Sequence, residues 1–256
     1  MRIIDSPSPN FNDRRFPVDM LVLHYTGMKT GPSALERMCD PKAEVSSHYM
    51  VEENGDVFQL VDESMRAWHA GRSSWFGDTD LNSRSVGIEI VNRGHNIPLP
   101  GGELQPYFRA QIESVIELSK SILDRHKIPQ NRVVGHSDIA PERKDDPGEH
   151  FPWEELSERG VGFWPVRPDE TAFPSVAPQG EGIKLGETSE RVAELQSLLA
   201  QIGYAVEADG TYDKFLGIVI TAFQRRWNQS SVTGLADPMT VELIRRVAEL
   251  AGASSR

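Results

Sequence analysis

The chain has 256 residues, of which 38% are hydrophobic and 25% charged, and its formal net charge is −11. This length is enough for two domains, and the composition is that of an ordinary globular protein. The negative charge argues against a nucleic-acid partner, because a surface that binds phosphates needs clustered lysines and arginines. The single cysteine, Cys39, excludes an intrachain disulfide and a cysteine-rich zinc site, so any metal must be held by histidines and carboxylates.

The sequence predicts no membrane span, because it contains no stretch of about 18 apolar residues. Residues 1–7 lack the apolar core of a signal peptide. We therefore expect a cytoplasmic protein. The alternative, a periplasmic one, holds if the sequence was trimmed from a longer chain.

The first 164 residues show the pattern of an α/β domain. Short apolar runs rich in β-prone residues predict buried strands, and Asn54-Gly55 between two of these runs predicts a hairpin. Apolar residues at helical spacing between Pro106 and Lys127 predict a long amphipathic helix, and a short helix is predicted to begin near Pro32. The strands are predicted at 20–25, 48–51, 57–61, 85–91 and 133–136. Because a hairpin is antiparallel, we expect a mixed central β-sheet flanked by helices.

The rest of the chain predicts a second, smaller unit. Prolines and glycines make 165–182 the predicted linker between the domains. Three segments with apolar residues at helical spacing follow within 183–256, and they predict a small three-helix bundle.

Two of the predicted strands end in a histidine, His24 and His136, and the acidic pair Asp145-Asp146 begins nine residues after the second of them. Two imidazoles and a carboxylate are a usual ligand set for catalytic zinc, with the fourth position left to water. Each signal alone is weak, because a lone histidine is more often a core or surface residue and an acidic pair is often a solvated turn. On the residues alone, either aspartate could be the third ligand.

The segment 135–148, with the sequence GHSDIAPERKDDPG, closely resembles the C-terminal signature of the type 2 N-acetylmuramoyl-L-alanine amidases. That family includes anhydromuramyl-peptide amidases, phage amidase lysozymes and peptidoglycan recognition proteins. Four further matches occur in the family's order, and together they cover about residues 18–150. They are VLHY at 22–25, SSHY at 46–49 followed by Asn54-Gly55, AWHAG at 67–71 and SVGIEI at 85–90.

The resemblance implies a Zn²⁺ ion on His24, His136 and Asp146, with Asp145 as a bystander. It also implies that Glu89 moves the proton of the attacking water, although alternation with Ile88 and Ile90 by itself favours a solvent-facing side chain. Lys144 occupies the position of a catalytic lysine in the family. An ammonium group there would stabilise the developing oxyanion, although most loop lysines are ordinary surface residues.

The substrate-binding residues predicted from the same motifs are Tyr25, His48, His69 and Asn92. Tyr25 is expected to line the cleft, while His48 and His69 have a structural role as the alternative. Asn92 follows the Glu89 strand and is the weakest of the four. The expected partners are muropeptides, including 1,6-anhydro forms, and the sequence does not indicate an oligomeric state. Glu44 and Asp80 stand where arginines are expected in the recycling branch of the family, so the contacts to the stem peptide are not defined.

Residues 183–247 are similar to the three-helix peptidoglycan-binding domain that often accompanies wall hydrolases. Such a domain binds glycan, or alternatively it covers the cleft or forms dimer contacts. The predicted function is hydrolysis of the amide between the lactyl group of N-acetylmuramic acid and L-alanine, in peptidoglycan recycling or turnover. The alternatives are a non-catalytic protein that binds muropeptides and a zinc peptidase that cuts within the stem peptide.

Overall fold

A computed structural model describes residues 1–165 and 180–253 of the chain. Its strands are β1 (Ile3–Asp5), β2 (Phe11–Asp13), β3 (Met20–Tyr25), β4 (Tyr49–Val51), β5 (Val57–Gln59), β6 (Met65–Ala67), β7 (Ser85–Ile90) and β8 (Val133–Gly135). Its α-helices are α1 (Gly31–Cys39), α2 (Leu81–Arg84), α3 (Arg109–His126), α4 (His136–Ile139), α5 (Trp153–Glu158), α6 (Glu190–Ile202), α7 (Lys214–Trp227) and α8 (Pro238–Ala253).

The main sheet has six strands in the order β1-β5-β4-β7-β3-β8, and it is mixed as predicted. Strands β4, β7, β3 and β8 run parallel, whereas β5 is antiparallel to β4. The hairpin around Gly55 causes this reversal. Glycine is required at this turn, because its φ is +88° and a Cβ atom there would lie 2.7 Å from the carbonyl oxygen of Ala110. A separate antiparallel pair, β2 and β6, was not predicted from the sequence.

The two faces of the sheet carry different parts of the protein. Leu21 and Leu23 of β3 point to the face covered by α3, with which they share a hydrophobic core. Met20 and Val22 alternate with them and point to the opposite face, in a core that continues into the C-terminal helices. Both faces of β3 are therefore buried, which explains why its first four residues, Met20–Leu23, are all apolar.

The helices α6, α7 and α8 form the predicted C-terminal bundle. Their side chains Leu199, Phe223 and Leu243 are fully buried and belong to the same core as Val22 of the sheet. The bundle thus packs directly against the α/β domain. Most of the predicted linker, residues 166–179, lies outside the described residues.

Four of the predicted strands are longer than the observed ones: the strands expected at 48–51, 57–61 and 85–91 are Tyr49–Val51, Val57–Gln59 and Ser85–Ile90, and the fourth bears on the site. The strand expected at 133–136 ends at Gly135, and His136 is the first residue of the short helix α4. The side chain of Asp138 accepts a hydrogen bond from the Gly135 N–H at 2.8 Å, so a local cap ends the strand one residue early. Within the described parts of the chain, no helix has the length and apolarity to cross a membrane.

Candidate active site

Residues from distant parts of the sequence meet at the carboxyl ends of the neighbouring parallel strands β3 and β8. The Nδ1 atoms of His24 and His136 are 2.9 Å apart, and they lie 3.0 and 3.1 Å from Oδ2 of Asp146. All three side chains are buried. This cluster could hold a metal ion, and within the described residues no other group of three such side chains has this property.

Each member of the cluster is positioned by a different element. His24 lies near the end of β3, which is flanked by β7 and the edge strand β8, and His136 begins α4 directly after β8. Asp146 follows in a loop that is closed by a backbone hydrogen bond of 2.9 Å from the Ser137 N–H to the Asp146 carbonyl. This bond joins the two ends of the loop, so the His136 and Asp146 side chains start from adjacent backbone.

Hydrogen bonds behind the cluster fix the tautomers of both histidines. His136 Nε2 lies 3.1 Å from the Ala70 carbonyl oxygen, which only accepts, so this nitrogen carries the proton and Nδ1 presents a lone pair. The Ser85 hydroxyl donates to the Leu81 carbonyl and accepts from His69 Nε2–H at 3.2 Å. Nδ1 of His69 is therefore free to accept from His24 Nε2–H at 3.0 Å, which leaves the His24 lone pair on Nδ1.

The protonation states also suit metal binding. Burial, with the neighbouring His136, lowers the pKa of His24 to about 4. Burial alone would raise the pKa of Asp146, but the two histidines outweigh it and hold that pKa well below its usual range. At neutral pH, Asp146 is ionised and His24 is neutral, as metal coordination requires.

Glu89 lies beside the cluster and is half-buried. It is paired with His24 in the parallel register of β3 and β7, and paired residues of neighbouring strands project to the same face. Its Oε2 atom is buried and has no hydrogen-bond partner among the described residues. Burial, and then the charge of Asp146, raise the pKa of Glu89 well above its usual value, while Lys144 opposes them. A carboxyl group with a raised pKa holds a proton more readily than an ordinary surface carboxylate does.

Lys144 is half-buried in the loop between α4 and Asp146. Its positive charge lowers the pKa values of both His24 and Glu89, after the larger effects named above. No ion pair found in the described ranges uses this lysine. Its charge is therefore not neutralised by an ion pair within those ranges.

The four residues predicted to bind substrate occupy different surroundings. Tyr25 is at the rim of the cluster, where its hydroxyl is 3.1 Å from Nδ1 of His95. His69 lies behind His24, as described above. His48 is fully buried and accepts from the Gly87 N–H at 2.9 Å, and Asn92 is buried and donates to the Gln105 carbonyl at 2.9 Å.

Several residues near the cluster were missed from the sequence. Around Tyr25 they are His95, Tyr107, Glu149 and His150; His95 Nε2 is 3.0 Å from the Glu149 carboxylate, and Tyr107 stacks on His150 at a centroid distance of 4.9 Å. The sequence EHFPW at 149–153, which follows the signature, is the only signal that could have pointed to them.

Comparison with known proteins decides the family. Residues 14–149 match the family model described as N-acetylmuramoyl-L-alanine amidase. The chain is 38% identical over 243 residues to the N-acetylmuramoyl-L-alanine amidase AmiD of Escherichia coli strain K12, an alignment that covers 92% of this chain and 84% of AmiD. The chain belongs to the N-acetylmuramoyl-L-alanine amidase family. Its amidase domain also resembles the 1,6-anhydro-N-acetylmuramyl-L-alanine amidase AmpD of Haemophilus influenzae, at 36% identity over 57% of this chain and 86% of AmpD.

Solved structures of the amidase family share this arrangement of both domains. The complex of Escherichia coli AmiD with anhydro-N-acetylmuramic acid-L-Ala-D-γ-Glu-L-Lys superposes with a TM-score of 0.76 at 37% identity, covering 91% of this chain and 89% of AmiD. AmpDh3 of Pseudomonas aeruginosa, solved with anhydromuramic pentapeptide, gives 0.73 at 30% identity, over 91% and 92% of the two chains. Residues 188–244 match a second model, described as a putative peptidoglycan binding domain.

Proposed function

We propose that this chain is a zinc-dependent amidase that hydrolyses the amide between the lactyl group of N-acetylmuramic acid and the L-alanine of the stem peptide. The observation that carries the proposal is the meeting of the His24, His136 and Asp146 ligand atoms within about 3 Å of one another, beside Glu89. Family membership supports the reaction, and the cluster supports the metal.

The ligand atoms fit zinc in number, type and spacing. Ligands about 2.0–2.1 Å from a tetrahedral zinc ion lie roughly 3.3 Å from each other, close to the 2.9–3.1 Å separations here. Three protein ligands leave a fourth position open, which is typical of catalytic sites. Ala70 and His69 support the two ligand histidines from behind, as outer hydrogen bonds do in known zinc sites.

Zinc bound here would supply Lewis acidity towards the scissile carbonyl and a water of lowered pKa. Glu89 accepts the proton of the attacking water on its carboxylate and returns it to the nitrogen of the departing L-alanine. The enclosed Oε2 atom, which lacks a partner in the described structure, is the acceptor best placed for this transfer. Lys144 stabilises the negative charge that develops on the carbonyl oxygen.

The substrate class follows from the relatives. AmiD and AmpDh3 were solved with anhydromuramic peptides, and this chain covers about nine tenths of each. We therefore assign anhydromuropeptides as substrates, and peptidoglycan recycling or turnover as the process. At the rim, Tyr25 contacts the substrate, whereas His48, His69 and Asn92 hold the surrounding backbone and ligands through the hydrogen bonds described above.

The proposal is tested by identifying products. The zinc-loaded chain is incubated with a purified 1,6-anhydromuropeptide and, separately, with purified sacculi, and the products are identified by mass. Free stem peptide that begins with L-alanine is expected from the soluble substrate. Release from neither substrate would refute the amidase function and favour a binding protein, while cleavage within the stem peptide would indicate a peptidase. Because sacculi are periplasmic, a strong preference for the soluble substrate would also support the predicted cytoplasmic location.

A further inference from the structure

Two consecutive arginines of the C-terminal bundle are ion-paired with the loop that carries two of the three cluster residues. We call His136–Asp146 the ligand segment. Arg226 of α7 lies 2.8 Å from Asp138, and Arg225 lies 2.8 Å from Asp145. The two aspartates lie between the ligands and next to them, because Asp138 is two residues after His136 and Asp145 directly precedes Asp146. The bundle thus contacts the ligand segment near both of its ends.

The pair formed by Arg226 and Asp138 is fully enclosed. The exposed fractions of the two side chains are 3% and 1%. The second carboxylate oxygen of Asp138 accepts from the Tyr204 hydroxyl at 2.8 Å, and Arg226 Nη2 donates to the Val133 carbonyl at 2.7 Å. We call this set of three side chains, Tyr204, Arg226 and Asp138, the clamp.

Two aromatic rings also pack against the guanidinium group of Arg226. The guanidinium carbon of Arg226 lies 4.4 Å from the ring centroid of Trp153 and 4.3 Å from that of Trp227, so one aromatic ring comes from each domain. Asp138 in turn caps α4 through the Gly135 N–H, directly before His136. A rotation of α4 would break several charge-assisted hydrogen bonds at once, which makes the orientation of His136 dependent on the bundle.

A buried ion pair is a poor source of net stability, because desolvation of the two charges offsets most of their attraction. Its directional hydrogen bonds instead fix geometry. An apolar contact would have sufficed to dock the bundle, such as the one that the ring of Tyr204 itself makes with Trp75 beside the clamp, with ring centroids 5.0 Å apart. The charged clamp occurs where the ligand segment must be held.

We propose that the C-terminal bundle is a structural part of the metal site, and that Arg226 and Tyr204 are positioning residues that hold His136 through Asp138. This inference rests on the proposed zinc site. It gives the bundle a function beyond glycan binding: in this chain, metal affinity depends on a domain that supplies no metal ligand.

The test measures zinc affinity of the full chain by competition with a chelating dye. The variants are Arg226→Met, Arg226→Lys and Tyr204→Phe. The matched control is Arg191→Met, because Arg191 pairs with Glu187 inside the bundle and does not reach the ligand segment. Circular dichroism and thermal unfolding establish that each variant is folded.

We expect Arg226→Met to weaken zinc binding about 10–100-fold, the usual effect of losing an outer-shell partner. Tyr204→Phe should weaken it by a smaller factor, Arg226→Lys should restore part of the loss, and Arg191→Met should match the wild type. At saturating zinc the clamp variants should lower kcat with KM unchanged, since neither residue touches substrate.

Folded clamp variants with wild-type zinc affinity and kcat would overturn the inference. If Arg226→Met does not fold, Tyr204→Phe decides, because it removes one hydroxyl and keeps the ring packing. A wild-type chain that binds no zinc would instead refute the proposed function, and with it the premise of the clamp.

Discussion

His24 and Glu89 are paired in the register of the two central parallel strands, and their side chains therefore project to the same face of the sheet. On that face, His24 is one of three clustered side chains that could hold a metal ion, and Glu89 carries a carboxylate oxygen that is buried without a partner in the described chain. The register thus places a buried carboxylate oxygen beside the cluster that is proposed to hold zinc, and the predictions below follow from this arrangement.

Replacement of Asp146 by alanine should abolish tight zinc binding. The variant loses the only carboxylate of the cluster. We therefore expect its zinc affinity to fall by more than the roughly 100-fold that follows the loss of a residue hydrogen-bonded to a ligand. Circular dichroism should show the C-terminal helices unchanged. Asp145→Ala is the matched control, since Asp145 is adjacent but pairs with Arg225, and its effect on zinc affinity should be much smaller. Equal losses in the two variants would mean that Asp146 is not the third ligand.

Glu89→Gln should separate metal binding from catalysis. The amide keeps the shape of the side chain but cannot accept a proton, so kcat should fall about 10²–10⁴-fold while zinc content stays at the wild-type level. Glu103→Gln, in an exposed loop, serves as the control and should keep full activity. Wild-type turnover by Glu89→Gln would remove the carboxylate from the mechanism.

Gly87→Ala should weaken zinc binding by displacing the ring of His69, which supports His24. A Cβ atom at Gly87 would lie 2.6 Å from Cγ and Nδ1 of the His69 ring, so that ring must move and its hydrogen bond to His24 is lost. We expect zinc affinity to fall about 10–100-fold. Gly217→Ala in α7 is the control, because its nearest neighbour would be 3.7 Å away; it should leave zinc binding intact and stabilise the helix by about 0.5–1 kcal/mol. An unaffected zinc affinity in Gly87→Ala would contradict the role of His69.

Acid should destabilise the fold through Glu63. Burial alone would raise the pKa of this carboxyl, but hydrogen bonds from Arg125, Tyr49 and His126 outweigh it and lower the pKa from 4.5 to about 2. A depressed pKa stabilises the folded state above pH 4.5, and this stabilisation disappears as the pH falls from about 4.5 through about 2.

We therefore expect Glu63→Gln to reduce the free energy of unfolding by on the order of 2 kcal/mol at pH 6, and by much less near pH 2. Urea denaturation of both proteins at the two pH values measures this difference. A Glu63→Gln effect that is the same at both pH values would show that the ion pairs do not stabilise the fold.

The sequence predicted the elements whose signal is local. The bounds of β3 are those expected, because both of its faces are buried and every residue is apolar until His24. The hairpin of β4 and β5 follows from Asn54-Gly55. In contrast, β1, β2 and β6 have three residues each, and their sequences carry no strand pattern. They are strands because of the partners that the fold gives them, which no local pattern specifies.

The candidate site also has a part that the sequence predicted and a part that it did not. The cluster of His24, His136 and Asp146 was predicted from a family signature, and the structure brings these side chains together. The clamp was not predicted, because a buried arginine and a surface arginine look alike in a helical sequence. The apolar stripe of α7 shows that one face is buried, but it does not show that the partner is the metal-ligand loop.

The most direct test of the central claim is a zinc titration of the chelator-treated chain with a 1,6-anhydro-N-acetylmuramic acid tripeptide as substrate. The rate of stem-peptide release is measured by mass spectrometry at each zinc concentration. We predict no release without metal and a rate that rises until about one zinc ion is bound per chain, as for a single catalytic site with three protein ligands. A full rate of release from the metal-free chain, or no release from the zinc-saturated chain, would contradict the account.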